Sequence, residues 1–327
     1  MTSSLYSISI SARTTLDMHS LNNEGGEGNQ IQTRMVNVID QEGRLQNVNA
    51  ISGDMFKHIQ AEHLFRLLRE RDDMPLCVGC QSLNANRINA DAAFLAETAG
   101  LNDAELVDAL LVHCAQDDIE GILITENKRS VPRKSVIEFG WVVGVPGSVE
   151  TDSYFHVKYA TERSSEQRAA DRAGQESGAN LGQAIFHRPA SSGIYAAVCH
   201  LELARIGFND NTQRYAIDED ERHRRMQVLL QSVLFTFMQP NGAMRSAQAP
   251  HLVDLNGVLT LSTGPVPAPT VSPLKDDFRR QIGDLRAELN QLVPDTVFAF
   301  EFDSLSGFAQ VINELLQDTV PYALRYG

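Results

Sequence analysis

The chain lacks sequence features that are typical of several common protein classes. Only four of its 327 residues are cysteine, too few and too unevenly spaced for a disulfide framework, which favours a reducing compartment. No apolar run reaches the length of a membrane-spanning helix, and residues 1–11 lack the basic start and apolar block of a signal peptide. The sequence therefore predicts a cytoplasmic protein without a membrane span.

Positive charge is also scarce. The chain has 28 Lys and Arg residues and 42 Asp and Glu residues, which gives a formal net charge of −14. A general nucleic-acid binder usually carries a basic surplus, so any polynucleotide groove must be local. One basic cluster consists of Lys128, Arg129, Arg133 and Lys134. A solvated surface that only promotes solubility explains these four residues equally well.

Common catalytic signatures are absent from the sequence. There is no GxxxxGK[ST], GxGxxG, HExxH or GxSxG motif. The best carboxylate cluster is Asp117, Asp118 and Glu120 before Gly121, a set that can hold a divalent cation for phosphodiester cleavage. Acidic residues before a glycine are far more often loop and cap residues. We therefore predict that the protein is not an enzyme, with a metal-dependent ribonuclease using Asp117 and Asp118 as an alternative.

The hydrophobic pattern alternates between strands and helices. Residues 6–12 alternate apolar residues with serine, as a half-buried strand does, and residues 34–39 predict a second strand. Helical spacing follows as far as about Arg71, and Asp218 with Glu221 has the spacing of a helix cap. A strand at 297–302 and a helix at 304–317 complete the pattern, which indicates an α+β fold.

The cysteines suggest a metal site. Cys77 and Cys80 have the C-x₂-C spacing of a zinc knuckle, and the pair His113-Cys114 follows further along the chain. These four side chains are a candidate zinc site and zinc is the one candidate cofactor. Adjacent His and Cys residues seldom reach one metal, however, so small buried thiols are the competing interpretation. Cys199 is expected in the core.

The start of the first predicted helix is a candidate phosphate site. Ser52 and Gly53 allow a ligand close to the backbone at a helix N-terminus, where free N–H groups and the helix dipole attract anions. Lys57 and His58 add donors in the first turns. An ordinary helix start with an exposed lysine is the alternative that spacing alone leaves open.

Several segments together resemble one family. Residues 7–30 (SISISARTTLDMHSLNNEGGEGNQ) and 50–64 (AISGDMFKHIQAEHL) are followed by IEGILI, RSVPRKSVIEFGW and PNGAMRSAQAPHL. In this order they resemble the DevR family, the Cas-seven-type backbone subunits of type I CRISPR Cascade complexes. The resemblance covers most of the chain.

The resemblance implies a ferredoxin-like (RRM-like) palm with inserted finger and thumb regions. It divides the chain into a first part of the palm at 1–71, a finger insertion at 72–190 and the remainder of the palm at 191–327, with a thumb loop near 239–252. Residues 160–182 contain almost no large apolar side chains, so we expect a mobile loop there within the finger.

The function that the resemblance implies is that of an RNA-binding backbone subunit, which polymerises along a guide RNA and supports its pairing with target DNA. The partners expected are the guide RNA, the target DNA strand, further copies of the chain and other Cascade subunits, namely the cap, the large and small subunits and the guide-processing endonuclease. A transcription autoregulator is a further alternative, although no helix-turn-helix with a basic recognition helix is visible.

The resemblance also assigns candidate contact residues. The RNA contacts implied are Arg13, Arg34, Ser52, Gly53, Lys57, His58, Asn241, Gly242 and Arg245. The finger cations Lys128, Arg129, Arg133 and Lys134 are expected to face RNA or the target DNA strand. A subunit that holds any guide sequence should bind phosphate and ribose and leave base reading to pairing.

Overall fold

The computed structural model describes residues 3–27, 30–125, 129–159, 183–242 and 248–325. The predictions for Lys128, Arg245 and the loop at 160–182 concern residues outside these ranges. The strands are β1 (Ser3–Leu5), β2 (Ser7–His19), β3 (Asn23–Glu27), β4 (Gln30–Thr33), β5 (Met35–Ile39), β6 (Leu45–Ile51), β7 (Ile122–Ile124), β8 (Val131–Arg133), β9 (Ile137–Phe139), β10 (Val142–Tyr159), β11 (Gln183–Leu201), β12 (Phe208–Asn209), β13 (Arg214–Tyr215), β14 (His251–Ser262), β15 (Val297–Phe302) and β16 (Thr319–Pro321).

The helices separate these strands into a mixed α/β fold. They are α1 (Gly53–Arg69), α2 (Val78–Gln81), α3 (Ala92–Glu97), α4 (Asp103–His113), α5 (Ala115–Glu120), α6 (Glu219–Met238), α7 (Phe278–Leu292) and α8 (Leu305–Asp318), with short 3-10 turns at Arg87–Ala90 and Leu203–Arg205. None of the helices in the described ranges combines the length and apolar character that a membrane crossing needs.

One large sheet organises the chain. Its strands follow the order β15-β14-β2-β11-β10-β6-β5, and β9 pairs with β11 as well. The strand β2 lies in its interior, antiparallel to both β11 and β14. The helices α1, α6 and α8 pack together on one face, where Ile8, Ile10 and Ala12 of β2 contribute to the main apolar core.

The opposite face of β2 is closed by the segment 263–277, which we call the connector. Ser7 Oγ accepts the Ala268 N–H at 3.3 Å, and Ser9 Oγ donates to the Ala268 carbonyl at 3.0 Å. Ser11 Oγ lies 2.8 Å from Thr270 Oγ1. The prediction of a half-buried strand is therefore wrong for this face, because the backbone and hydroxyl groups of the connector satisfy the serines and bury them.

The insertion after α1 has a small core of its own. Its buried apolar residues come from α2, α3, α4, β7, β8 and the segments that join them, and they are Cys77, Cys80, Ile88, Phe94, Leu106, Val107, Leu110, Leu111, Cys114, Ile124 and Val131. We call residues 72–135 the finger. The predicted finger of 72–190 extends beyond this core into β10 and β11, which form one hairpin of the large sheet, and residue 190 lies inside β11.

Gly53 is required by packing, which gives a first testable prediction. A Cβ atom at this position would lie 2.4 Å from the Phe139 carbonyl oxygen at the end of β9. We expect Gly53→Ala to lower the free energy of unfolding by about 1–3 kcal/mol, because backbone must move to accept the methyl group. Urea unfolding followed by circular dichroism measures this loss.

The matched control is Gly283→Ala in α7. Apart from the backbone of its own helix and its two chain neighbours, no heavy atom lies within 4 Å of the position of its Cβ, so this variant should gain about 0.5–1 kcal/mol from the better helix propensity of alanine. Equal stability of the two variants would show that Gly53 does not need its close packing.

Candidate functional site

The start of α1 lies where several loops converge. Ser52 is the N-cap residue, and its Oγ accepts the Met55 N–H at 3.2 Å. The Ser52 N–H in turn donates to Asn22 Oδ1 at 2.7 Å. The close approach predicted for a phosphate at Gly53 is instead made by the backbone of Phe139 and Gly140, so the glycine itself is explained by packing.

Four of the predicted contact residues meet at this point. The Arg34 N–H donates to the Asn22 carbonyl at 3.3 Å, which brings the start of β5 to the start of α1. Gly242 packs directly on the backbone of Leu21. We call Asn22, Arg34, Ser52, Gly53, Trp141 and Gly242 the α1 edge.

The α1 edge carries a cation stacked on an aromatic ring. The Arg34 guanidinium lies 5.5 Å from the ring centroid of Trp141, the single tryptophan of the chain. Trp141 is 43% exposed, so one part of its ring faces solvent. Arg34 also forms an ion pair with Glu24, whose carboxylate is partly exposed. Sequence reasoning did not single out Trp141, although it is the single tryptophan of the chain and ends the RSVPRKSVIEFGW segment.

Other predicted contact residues have different partners. Arg13 Nε donates to the Pro273 carbonyl at 2.8 Å and its Nη2 pairs with Asp276, so the guanidinium anchors the connector. Lys57 Nζ donates to the Glu120 carbonyl at 3.0 Å, and burial lowers the pKa of this amine. His58 remains exposed on α1, 3.2 Å from Glu62. The structure thus does not bring Arg13 or Lys57 to the α1 edge.

The described finger cations are all paired with acids. Arg129 pairs with Asp103 at 2.7 Å, and Lys134 lies near Glu138 and Glu202. Arg133 is buried, and its guanidinium donates to Asp118 Oδ1 at 2.6 Å and to the Phe208 carbonyl at 2.7 Å. The expectation that Arg133 faces a nucleic acid is corrected, because all of its charge is used inside the protein.

Asp118 is the centre of a buried ion-pair network. It is fully buried, and its oxygens accept from Arg133, from Arg225 Nη1 at 2.8 Å and from the Gly207 N–H at 2.9 Å. Arg225 also pairs with Glu221 one turn earlier on α6. Both carboxylate oxygens are thereby occupied, which leaves this residue poorly suited to hold a catalytic cation.

The neighbouring acids are buried without such a network. Burial raises the pKa of Asp117 to about 8 and that of Glu120 to about 7. Glu120 lines a cleft of about 330 Å³ between α1 and the finger, together with Lys57 and Arg87. Neither acid presents an exposed carboxylate to a polymeric substrate.

Three of the four predicted zinc ligands do come together. The ligand atoms of Cys77, Cys80, Cys114 and Asp117 all lie within 4.8 Å of one another, and all four residues are buried. His113 is not in this group, because its Nε2 lies 3.0 Å from Asp91 Oδ2. The fourth member of the cluster is thus Asp117 and not the predicted His113, since the helix break at Cys114 turns Asp117 toward the thiols and His113 away.

The neighbouring thiols shift the pKa values of one another. Hydrogen bonds from Cys114 and Cys80 lower the pKa of Cys77 to about 5. Hydrogen bonds with Cys114 and Cys77 raise the pKa of Cys80, because a second thiolate beside the first is unfavourable.

Comparison with known proteins places the chain among CRISPR-associated proteins. The family described as "CRISPR-associated negative auto-regulator DevR/Csa2" matches residues 10–282. The chain belongs to this DevR/Csa2 family, and the resemblance seen in the sequence is confirmed.

Individual proteins are similar over nearly the whole length. A relative from Methanocaldococcus jannaschii, "CRISPR-associated protein Cas7/Cst2/DevR", is 24% identical over 323 residues, which cover 94% of this chain and 98% of that protein. Among solved structures, a chain of a "CRISPR RNA-guided surveillance complex, pre-nicking" is 12% identical, with a TM-score of 0.48 over 95% of this chain and 99% of that chain. A chain of another "CRISPR RNA-guided surveillance complex" is 11% identical, with a TM-score of 0.49 over 95% of this chain and 98% of that chain.

The ion-pair network around Asp118 predicts that substitutions of two adjacent basic residues change the free energy of unfolding by very different amounts. We expect Arg133→Met to lower the free energy of unfolding by about 3–5 kcal/mol, because it leaves Asp118 short of a charged partner in the interior. Lys134→Met, on the exposed neighbour, should change it by at most about 0.5 kcal/mol. Urea titrations of both variants test this contrast, and similar midpoints would contradict the assigned role of Arg133.

The raised pKa of Glu120 predicts that the free energy of unfolding depends on pH. Its folded-state pKa is about 7 against an ordinary value of 4.5, so the stabilisation by its neutral form is complete below pH 4.5 and is lost as the pH rises to about 7. Glu120→Gln stays neutral, so it should match the wild type at pH 4.5 and exceed its stability by up to about 3 kcal/mol at pH 8.

The comparison needs thermal or urea unfolding of both proteins across this pH range. Because the difference between the two curves isolates residue 120, titration of other buried groups cancels. Parallel curves would show that Glu120 ionises normally in the folded protein.

Proposed function

We propose that the protein is an RNA-binding backbone subunit of a type I Cascade interference complex and that its guide RNA follows the α1 edge. Membership of the DevR/Csa2 family supports the general role. The observation that carries the proposal is the Arg34–Trp141 pair beside the N-terminus of α1. A partly exposed ring stacks on a base of any sequence, and a neighbouring guanidinium binds phosphate.

A ferredoxin-like palm is part of this proposal. Such a palm has two strand-helix-strand units whose four strands lie in the order fourth, first, third, second. The order β14-β2-β11-β9, all antiparallel, supports it, with α1 following β2 and α6 following β11. The finger then lies between α1 and β9, and the thumb near residues 239–252.

The acidic total charge is compatible with this role. Cations outside the α1 edge, such as Arg13 and Arg133, are already paired with acids of the same chain. RNA affinity must therefore come from few contacts per copy, and it becomes strong when adjacent copies bind one RNA cooperatively. Further copies, the target DNA strand and the other Cascade subunits, namely the cap, the large and small subunits and the guide-processing endonuclease, are the proposed partners.

The proposed role is not catalytic. The alternative ribonuclease would need Asp117 and Asp118 at a surface that a polynucleotide reaches. Both carboxylates are fully buried, and Asp118 is neutralised by two arginines. A backbone role without chemistry fits these surroundings better.

RNA binding by variants of the α1 edge tests the proposal. Trp141→Ala should weaken binding of a labelled guide transcript about tenfold, because a stacked base contributes about 1–3 kcal/mol. Arg34→Gln should weaken binding and reduce its salt dependence by about one phosphate contact. Glu24→Gln, which frees Arg34 from its ion pair, should tighten binding.

The matched controls are Arg286→Gln and Glu288→Gln, two exposed positions on α7. They change the net charge by the same amounts without touching the α1 edge. Filter binding across a salt series provides the measurement. The proposal fails if the wild type ignores guide transcripts at low ionic strength, or if the controls alter affinity as much as the edge variants do.

A further inference from the structure

The finger contains a second set of chemically active side chains that RNA binding does not use. Cys77 and Cys80 lie around α2, whereas Cys114 and Asp117 lie at the break between α4 and α5. From their arrangement we infer that these four side chains bind one zinc ion. The site is independent of the α1 edge and of the proposed function.

The distances fit a tetrahedral ion. Asp117 Oδ2 lies 3.4 Å from Cys77 Sγ and 3.7 Å from Cys80 Sγ. Zinc bonds of about 2.3 Å to sulfur and about 2.0 Å to oxygen place two tetrahedral ligands of these types about 3.5 Å apart. The two oxygen–sulfur distances match this spacing, and all four ligand atoms lie within 4.8 Å of one another.

Backbone N–H groups are directed at two of the sulfurs. The Cys80 N–H donates to Cys77 Sγ at 3.3 Å, and the Asp117 N–H donates to Cys114 Sγ at 3.4 Å. Donors of this kind stabilise thiolates, which are the form that binds metal. Cys77 caps α2 and Cys114 caps α5, so the fold fixes both of these sulfurs relative to their partners.

A positive residue lies on the outer side of the carboxylate. Arg87 Nη1 is 3.5 Å from Asp117 Oδ1, the oxygen that points away from the thiols, and Arg87 also donates to the Gly121 carbonyl. Such a group orients a ligating carboxylate and offsets part of the excess negative charge of three thiolates and one carboxylate around a divalent ion.

Three sulfur ligands in an enclosed site select zinc over magnesium or calcium, which prefer six or more oxygen ligands. All four residues are buried, so the site is closed and structural. A bound ion would join α2 to the α4–α5 junction through the middle of the finger core. A cluster of inert apolar thiols would not explain why a carboxylate is buried among them.

Metal analysis of the purified full-length protein tests this inference. After expression with added zinc and dialysis, the wild type should contain about one zinc per chain by plasma mass spectrometry. Cys80→Ser and Cys114→Ser should lose most of it. Cys199→Ser is the matched control, because Cys199 is equally buried but lies in β11 away from the cluster.

A second pair of variants separates the two candidate fourth ligands. Asp117→Asn should bind zinc at least tenfold more weakly in competition with a chelating dye, whereas His113→Gln should bind it as the wild type does. Zinc lost from His113→Gln but retained by Asp117→Asn would overturn the ligand assignment.

Two further measurements remain informative if a cysteine variant folds poorly. Removal of zinc by a strong chelator should lower the melting temperature of the wild type, and cobalt in its place should show thiolate-to-metal absorption bands. A folded wild type without zinc would overturn the inference. So would a Cys77–Cys80 disulfide found by mass spectrometry in freshly purified protein, or wild-type zinc content in Cys80→Ser.

Discussion

Asp118 joins three segments that lie apart in the sequence. Its buried carboxylate accepts from β8, from α6 and from the Gly207 N–H after the 3-10 turn at Leu203–Arg205. Two arginines and a carboxylate in the interior are costly unless every donor and acceptor is paired. Because Asp118 accepts from both arginines and from a backbone N–H, the network ties α5 to β8, to α6 and to the segment at Gly207.

Helices and strands can be predicted from the sequence where residues close together in the chain determine their bounds. Asp218 caps α6 at the predicted position, and β15 has its predicted bounds. The pattern of β10 gives no such indication, because Gly144 and Pro146 interrupt it and its register with β11 shifts. In the site, the C-x₂-C spacing predicts a cysteine cluster correctly, yet adjacent Arg133 and Lys134 look alike and only tertiary packing buries one of them.

The two faces of the sheet support the proposal that RNA follows the α1 edge. Helices α1, α6 and α8 cover one face, and the connector seals the serines of β2 on the other. An RRM-like palm that bound RNA across its open sheet would need those serines exposed. In this chain one partly exposed aromatic ring and a neighbouring guanidinium, Trp141 and Arg34, instead lie where α1 begins, beside the loop around Asn22.

The position of β2 inside the sheet also has a consequence for synthesis. This strand is translated before all its neighbours, yet Ser7 pairs with Ser262 and Ile8 with Leu201. On the ribosome, the apolar side chains of β2 emerge long before β11 and β14 can flank them, so the sheet closes only when most of the chain has been made. Until then the nascent protein carries unpaired strand edges, the state in which chaperones bind and chains aggregate.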